Sequence, residues 1–232
     1  MERSKHLILL PGLLCDEALW AHQVKALGGT VNIAIGDLTK FETMEDLARQ
    51  ILADAPSKFA LAGLSMGGYV AQEIMRQEPD RVERLAFVNT NARADSEEQR
   101  RIRTGLIDLA VVGKFKGVTP RLLPSLIHPS RMDDPDVAGV VLEMAERMGQ
   151  DVFKRQQTAI LGRKDSREDL RSICVPTLIL AGREDLLCPP KVQEEMAERI
   201  DNAKLVILEH CGHLSPLERP DEVTAVLDEW LG

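Results

Sequence analysis

Gly63-Leu64-Ser65-Met66-Gly67-Gly68 lies between two segments of different periodicity. Before it, residues 58–62 read as a short apolar strand. After it, residues 69–76 carry helical spacing, with Val70, Ala71, Ile74 and Met75 on one side. A strand that passes directly into a helix through a serine needs a sharp, strained turn, and small flanking residues let the backbone through. Gly63 and Gly67 are the two glycines of the Gly-x-Ser-x-Gly pattern, in which the serine hydroxyl stands clear of its neighbours. Ser65 would also sit at the positive end of the helix, where a developing anion is favoured. Taken alone, the six residues leave a glycine-rich turn with an incidental serine as the less favoured alternative, so the remainder of the chain has to discriminate.

Working outward, apolar runs alternate with helical patterns, the signature of a parallel sheet flanked by helices. The strands are expected at 6–10, 31–35, 59–62, 85–89, 177–181 and 204–208, and the helices at 17–27, 44–54, 66–77, 191–199 and 220–231. Most of the strand segments are continuous apolar runs, as expected where both faces are covered. Residues 93–171 break the alternation. They carry helical patterns over 97–112 and 137–148, punctuated by Pro120, Pro124, Pro129 and Pro135. An insertion of that size reads as a helical cap over the end of the sheet, within one domain spanning 1–232. The cap holds 15 Lys and Arg against 13 Asp and Glu, leaving 14 against 24 elsewhere. A solvated surface of mixed charge explains that balance; a sharper reading has cap arginines such as Arg100, Arg103 or Arg131 meeting an anionic substrate.

With 232 residues and 44% hydrophobic content the chain can bury a full core, and 3% aromatics make that core aliphatic. A net charge of −8 argues against non-specific nucleic-acid binding. No apolar run approaches the roughly 20 residues needed to span a bilayer. Pro11 and Gly12 interrupt the run that follows Arg3, Lys5 and His6, which suits a strand better than an export signal. The four cysteines show no CxxC pairing and no zinc-ligand spacing, so free thiols in the cytoplasm and no metal are expected.

A serine hydroxyl needs an adjacent base that is itself oriented by a carboxylate. In a doubly wound sheet such partners lie past the carboxyl ends of later strands. Gly182-Arg183-Glu184-Asp185 follows one such strand and Glu209-His210-Cys211-Gly212-His213 follows another. Glu184 and Asp37 compete with Asp185 for the carboxylate, and His210 competes with His213 for the base. Cys15 after the first strand's loop, Cys188 after Asp185 and Cys211 before His213 fall in segments expected to converge on the site, as small buried hydrophobes or as steric targets for thiol reagents.

The order Ser65, Asp185, His213 and the full-length spacing of these motifs resemble the α/β-hydrolase superfamily, most closely its small esterase, enol-lactonase and haloperoxidase-like branch. The chain opens at a strand that resembles the third of that fold. The resemblance implies Ser65 as nucleophile, His213 as general base and then acid, and Asp185 as the group that orients His213. It also implies an oxyanion hole from the backbone N–H groups of Leu13 and Met66, with Pro11-Gly12 where many members have His-Gly. The implied activity is hydrolysis of a small carboxylic ester through an acyl-enzyme, without a cofactor. Lactone, thioester or carbon–carbon bond hydrolysis, or a lyase reaction like that of a menaquinone-pathway synthase, would use the same triad. A ligand-binding receptor that kept the fold is a further alternative. The implied partner is a small-molecule ester, with no nucleic acid and no membrane; homo-oligomerisation stays open.

Overall fold

Six parallel strands form one sheet in the order β2-β1-β3-β4-β5-β6 in the computed structural model, which describes residues 5–113, 117–118 and 121–232. They are β1 (His6–Leu10), β2 (Asn32–Ile35), β3 (Phe59–Leu64), β4 (Val82–Val88), β5 (Thr177–Gly182) and β6 (Lys204–Leu208). The residues of β3 and β5, FALAGL and TLILAG, are buried along their whole length, as central strands covered on both faces must be. At the two edges, β2 and β6 are only partly covered.

Side chains alternate between two cores because successive residues of a strand point to opposite faces. Leu7, Leu9, Leu64, Val88 and Leu180 face one way, against α1 (Ala21–Leu27) and α7 (Pro220–Leu231). Ile8, Leu10, Leu61, Phe87 and Ile179 face the other way. They meet α2 (Met44–Asp54), α3 (Met66–Gln77) and α6 (Pro190–Ala197). The expected α/β class therefore holds, with parallel strands throughout. One detail differs at 17–27: Glu17–Trp20 is a 3-10 turn capped by Asp16 before α1 begins.

From β1 the chain moves outward to β2, then returns past β1 to continue at β3. The order reverses there, and the crevice beyond the carboxyl ends of β1 and β3 is where such sheets take ligands. Leu13 follows β1 and Ser65 follows β3, so the topology alone brings these two loops to one place.

Between β4 and β5 lie α4 (Glu97–Val111), opened by a capping box of Ser96 and Gln99, and α5 (Val140–Gly162). The 97–112 pattern matches α4, and the 137–148 pattern ends where the first helical stretch of α5 does. Gly149, at φ 69° and ψ −177°, is non-helical, a conformation open to a residue without Cβ, and a second helical stretch follows it to Gly162. Val141 and Met144 of α5 pack with Leu64 and Val88 at the sheet end. A buried cluster joins these helices to the core: Asp95 pairs with Arg103 at 2.8 Å and Arg163 at 2.6 Å, and the Arg163 guanidinium stacks 4.4 Å from the Tyr69 ring centre. The expected cap boundaries 93–171 include residues 114–116 and 119–120, Pro120 among them, which lie outside the described residues. Among the described residues no helix is long and apolar enough to cross a membrane.

Candidate active site

Ser65 sits in the strained turn between β3 and α3 at φ 51° and ψ −111°. A non-glycine residue there costs about 1–2 kcal/mol, so its surroundings must hold it. They do so from several sides. The Ser65 N–H donates to Val88 O at 3.0 Å. The Thr90 hydroxyl donates to Ser65 O at 2.7 Å, and the Gly68 N–H reaches the same carbonyl at 2.9 Å. A Cβ on Gly63 would fall on the Gly67 carbonyl, and one on Gly67 would fall on the Leu10 carbonyl, so the turn closes only with both glycines.

The loops after β5 and β6 bring Asp185 and His213 together. His213 Nδ1 lies 2.8 Å from Asp185 Oδ2 and 3.0 Å from Oδ1, and both side chains are buried. Asp185 Oδ1 also accepts from the amides of Leu187 at 2.9 Å and Cys188 at 2.8 Å. Burial pushes this carboxyl up, but the facing His213 ring and the hydrogen bonds from His213, Cys188 and Asn89 outweigh it and hold the group below the ordinary carboxylate range. An ionised Asp185 is acceptor-only, which puts the imidazole proton on Nδ1 and leaves the Nε2 lone pair available.

Three buried polar residues that sequence reasoning did not single out support this arrangement. Asn89, at φ 45° just past β4, donates through Nδ2 to Asp185 Oδ2 at 2.9 Å and to Gly212 O at 3.1 Å, while its Oδ1 accepts from Ser215 at 2.6 Å. Glu218 clamps the His213 loop by accepting from the amides of Gly212 at 3.0 Å, Leu214 at 3.0 Å and His128 at 2.7 Å. Burial raises the Glu218 carboxyl in spite of these hydrogen bonds. Gln156 of α5 accepts from Leu14 N at 2.9 Å and donates to Leu38 O at 3.1 Å, fixing the loop after β1. Asn89 carries a readable signal, since it is a turn-forming residue at a strand end. Glu218 and Gln156 act through backbone amides brought close only by folding, and no local pattern marks them.

In the β1 loop Leu14 has φ 58° and Cys15 N donates to Gly12 O at 3.1 Å. Neither Leu13 N–H nor Met66 N–H has a protein acceptor among the described residues. Gly12, Leu13, Ser65 and His213 line one pocket of about 450 Å³ including its mouth. Apart from the Cys15 thiol, the rest of its described wall is aliphatic or thioether, with Val118, Leu126, Val141 and Met144 from the segment between β4 and β5, and no Lys or Arg among the described residues that line it. The arginines considered for an anionic substrate are engaged elsewhere. Arg100 donates to Leu161 O, Arg103 pairs with Asp95, and Arg131 pairs with Asp134. Leu106, Leu109, Val111 and Leu122 are exposed rather than lining the pocket.

Of the alternatives, Asp37 bonds Thr39 and Lys40 outside the pocket, and Glu184 accepts from Cys211 N. His210 is exposed beside His128. Cys15 lines the pocket and Cys188 packs behind it, but burial pushes each thiol up to about 12, and Cys211 rises too for the same reason. Burial thus disfavours the thiolate at all three, and Cys174 is the exposed one.

Residues 7–226 match the model of the alpha/beta hydrolase family. A pimeloyl-[acyl-carrier protein] methyl ester esterase of Legionella pneumophila is 26% identical over 97% of this chain and 94% of its own length. Among solved structures, a thermophilic esterase from Thermogutta terrifontis superposes with a TM-score of 0.89 at 27% identity, covering 98% of this chain and 89% of the other. An enol-lactonase from Burkholderia xenovorans gives 0.87 at 25% identity, with coverages of 99% and 92%.

Proposed function

The chain belongs to the alpha/beta hydrolase family, and from that membership we propose that it is a serine hydrolase that cleaves small, uncharged carboxylic esters through an acyl-enzyme. The observation that carries this reading is the Asp185–His213 pair at 2.8 Å, with His213 sharing a pocket with Ser65. His213 Nε2 takes the Ser65 proton as Oγ attacks the ester carbonyl. The tetrahedral oxyanion accepts from the amides of Leu13 and Met66, each donor contributing about 3 kcal/mol. The imidazolium then gives its proton to the departing alkoxide, which leaves as the alcohol. In the second half His213 deprotonates water, hydroxide adds to the acyl carbon, and Ser65 leaves with the proton returned to it. Asp185 stabilises the imidazolium in both halves.

Residues 93–171 serve as the cap of the single domain 1–232 and set the size of the acyl or alcohol group. Among the described residues the lining is apolar and carries no Lys or Arg, which favours a neutral substrate over the anionic one that a lyase of the menaquinone type would require. A lactone is an internal ester and fits the same chemistry, and the similarity to an enol-lactonase makes it the natural second substrate class. Treatment with an organophosphonate, followed by peptide mapping, is the direct test. Modification of Ser65 with loss of p-nitrophenyl acetate and butyrate hydrolysis is expected. Modification elsewhere, or full activity after labelling, would reject the assignment.

A further inference from the structure

Away from the pocket, three metal-ligand side chains from three different segments converge: His128 from the β4–β5 connection, Glu184 from the loop after β5 and His210 from the loop after β6. One ring nitrogen of each histidine and one carboxylate oxygen lie within 4.8 Å of one another. The two rings are 5.8 Å apart at 77°. We propose that these residues bind one divalent transition-metal ion of the zinc class, which fastens the segment carrying His128 to the loops carrying Asp185 and His213.

The donor set argues for that class of ion. Two imidazoles and one carboxylate suit zinc, cobalt or nickel, whereas magnesium and calcium seek oxygen. Each ligand is also held from behind. Glu184 Oε2 accepts from Cys211 N at 2.9 Å, which orients the carboxylate. His128 Nδ1 lies 2.8 Å from the Ser130 hydroxyl and 3.2 Å from Ser130 N. Binding through Nε2 puts the proton on Nδ1, where the hydroxyl accepts it and the amide contact is given up. Arg219 holds the His210 turn by donating to Glu209 O at 2.9 Å and to His210 O at 3.2 Å. Donors on a tetrahedral zinc are about 3.4 Å apart, so a rotamer adjustment of exposed His210 closes the site around the ion. Water would fill the fourth position.

Glu184 immediately precedes Asp185, and His210 lies three residues before His213. The ion would therefore tie together the loops beside the pocket and restrain the segment above it, raising thermal stability. The binding does not depend on the acyl-transfer reading, and its test needs no substrate. A second cluster, Asp185, Cys188 and His213, lies in the candidate active site and is the competitor to be distinguished.

The full chain, freed of metal with a chelator, would be titrated with cobalt(II) and then zinc while visible absorption and Tm are followed. The expected result is one equivalent bound with a visible d–d band and no thiolate charge-transfer band, displacement by zinc, and a rise in Tm. His210→Ala and His128→Ala should each weaken binding at least tenfold and abolish the Tm rise, and His210→Ala should leave metal-free ester hydrolysis unchanged. Three outcomes overturn the proposal: no binding at millimolar metal, undiminished affinity in both histidine variants, or a charge-transfer band lost in Cys188→Ala.

Discussion

Asn89 holds Asp185 from the end of the neighbouring strand, its Nδ2 2.9 Å from Asp185 Oδ2, while the same amide reaches Gly212 beside His213. One side chain thus spaces the carboxylate and the histidine loop. Asn89→Ala is expected to lower kcat roughly 10- to 100-fold with a smaller change in KM, by analogy with groups that orient a catalytic ligand. Its φ of 45° adds a stability loss of about 1 kcal/mol for an alanine. Steady-state kinetics and thermal unfolding would separate the two effects, and an unchanged kcat would remove Asn89 from the catalytic arrangement.

Ser65→Gly should divorce stability from activity. Glycine adopts the Ser65 backbone geometry without a Cβ penalty, so the variant is expected to gain about 1 kcal/mol of stability. Ester hydrolysis should fall by at least about 1,000-fold. Denaturant unfolding and a p-nitrophenyl ester assay test the pair of effects, and retention of wild-type turnover would defeat the nucleophile assignment.

Gln156 links α5 to the loop after β1 through Leu14 N and Leu38 O, and is only 1% exposed. Truncation to alanine leaves a buried N–H and a buried carbonyl unpaired, a loss of about 1–3 kcal/mol. The Leu13 amide should lose its fixed position, so kcat is expected to fall while binding of a neutral product changes little. A crystal structure of Gln156→Ala with an unmoved loop, together with normal kcat, would contradict this role.

The Asp185 carboxyl is held below its ordinary value of 3.8, with burial opposed by the His213 ring and three hydrogen-bond donors. Its stabilising contribution is therefore present above pH 3.8 and lost as the pH falls through the lower folded value. Glu218 runs in the opposite direction: burial lifts it above 4.5, so its contribution is present below 4.5 and lost as the pH rises through the folded value. Asp185→Asn should unfold at lower temperature than the wild type near neutrality, with the gap closing in acid below pH 3.8. Parallel melting curves from pH 3 to 8 (about that range suffices) would expose a gap that fails to close.

Asp95 faces both Arg103 and Arg163 and is 1% exposed in its side chain. Asp95→Asn leaves two guanidinium groups without their shared anion and should cost about 3 kcal/mol. Because the pair joins α4 to the end of α5, local proteolysis near α4 is expected to increase before global unfolding. Calorimetry and limited trypsin digestion would show it; a Tm within 2 °C of wild type, roughly what 0.5 kcal/mol produces, would not fit.

The sheet was legible because its strands are short continuous apolar runs, and β1 and β6 begin and end where those runs do. The turn at Ser65 was legible because close backbone approach admits only glycine at 63 and 67. Asp185 could be preferred over Glu184, but its pairing with His213 rests on two loops that meet only after β5 and β6 align. The segment between β4 and β5 was least legible. Its aliphatic residues are divided between the pocket and solvent by tertiary packing, so Leu126 lines the pocket while Leu122, one turn earlier, is exposed. The 137–148 pattern stops where the backbone leaves the helical region, at Gly149, before a second helical stretch runs on to Gly162.

The amide of His213 donates to Leu126 O at 3.0 Å, and Glu218 grips His128 as well as the two residues flanking His213. The roof of the pocket is consequently stitched to the very backbone that carries the proposed base. A wholesale lift of that roof would tear the histidine from its place, so the stitched edge must behave as a fixed hem. Under the proposed mechanism, any motion wide enough to break that hem would idle the catalyst for as long as it stayed open.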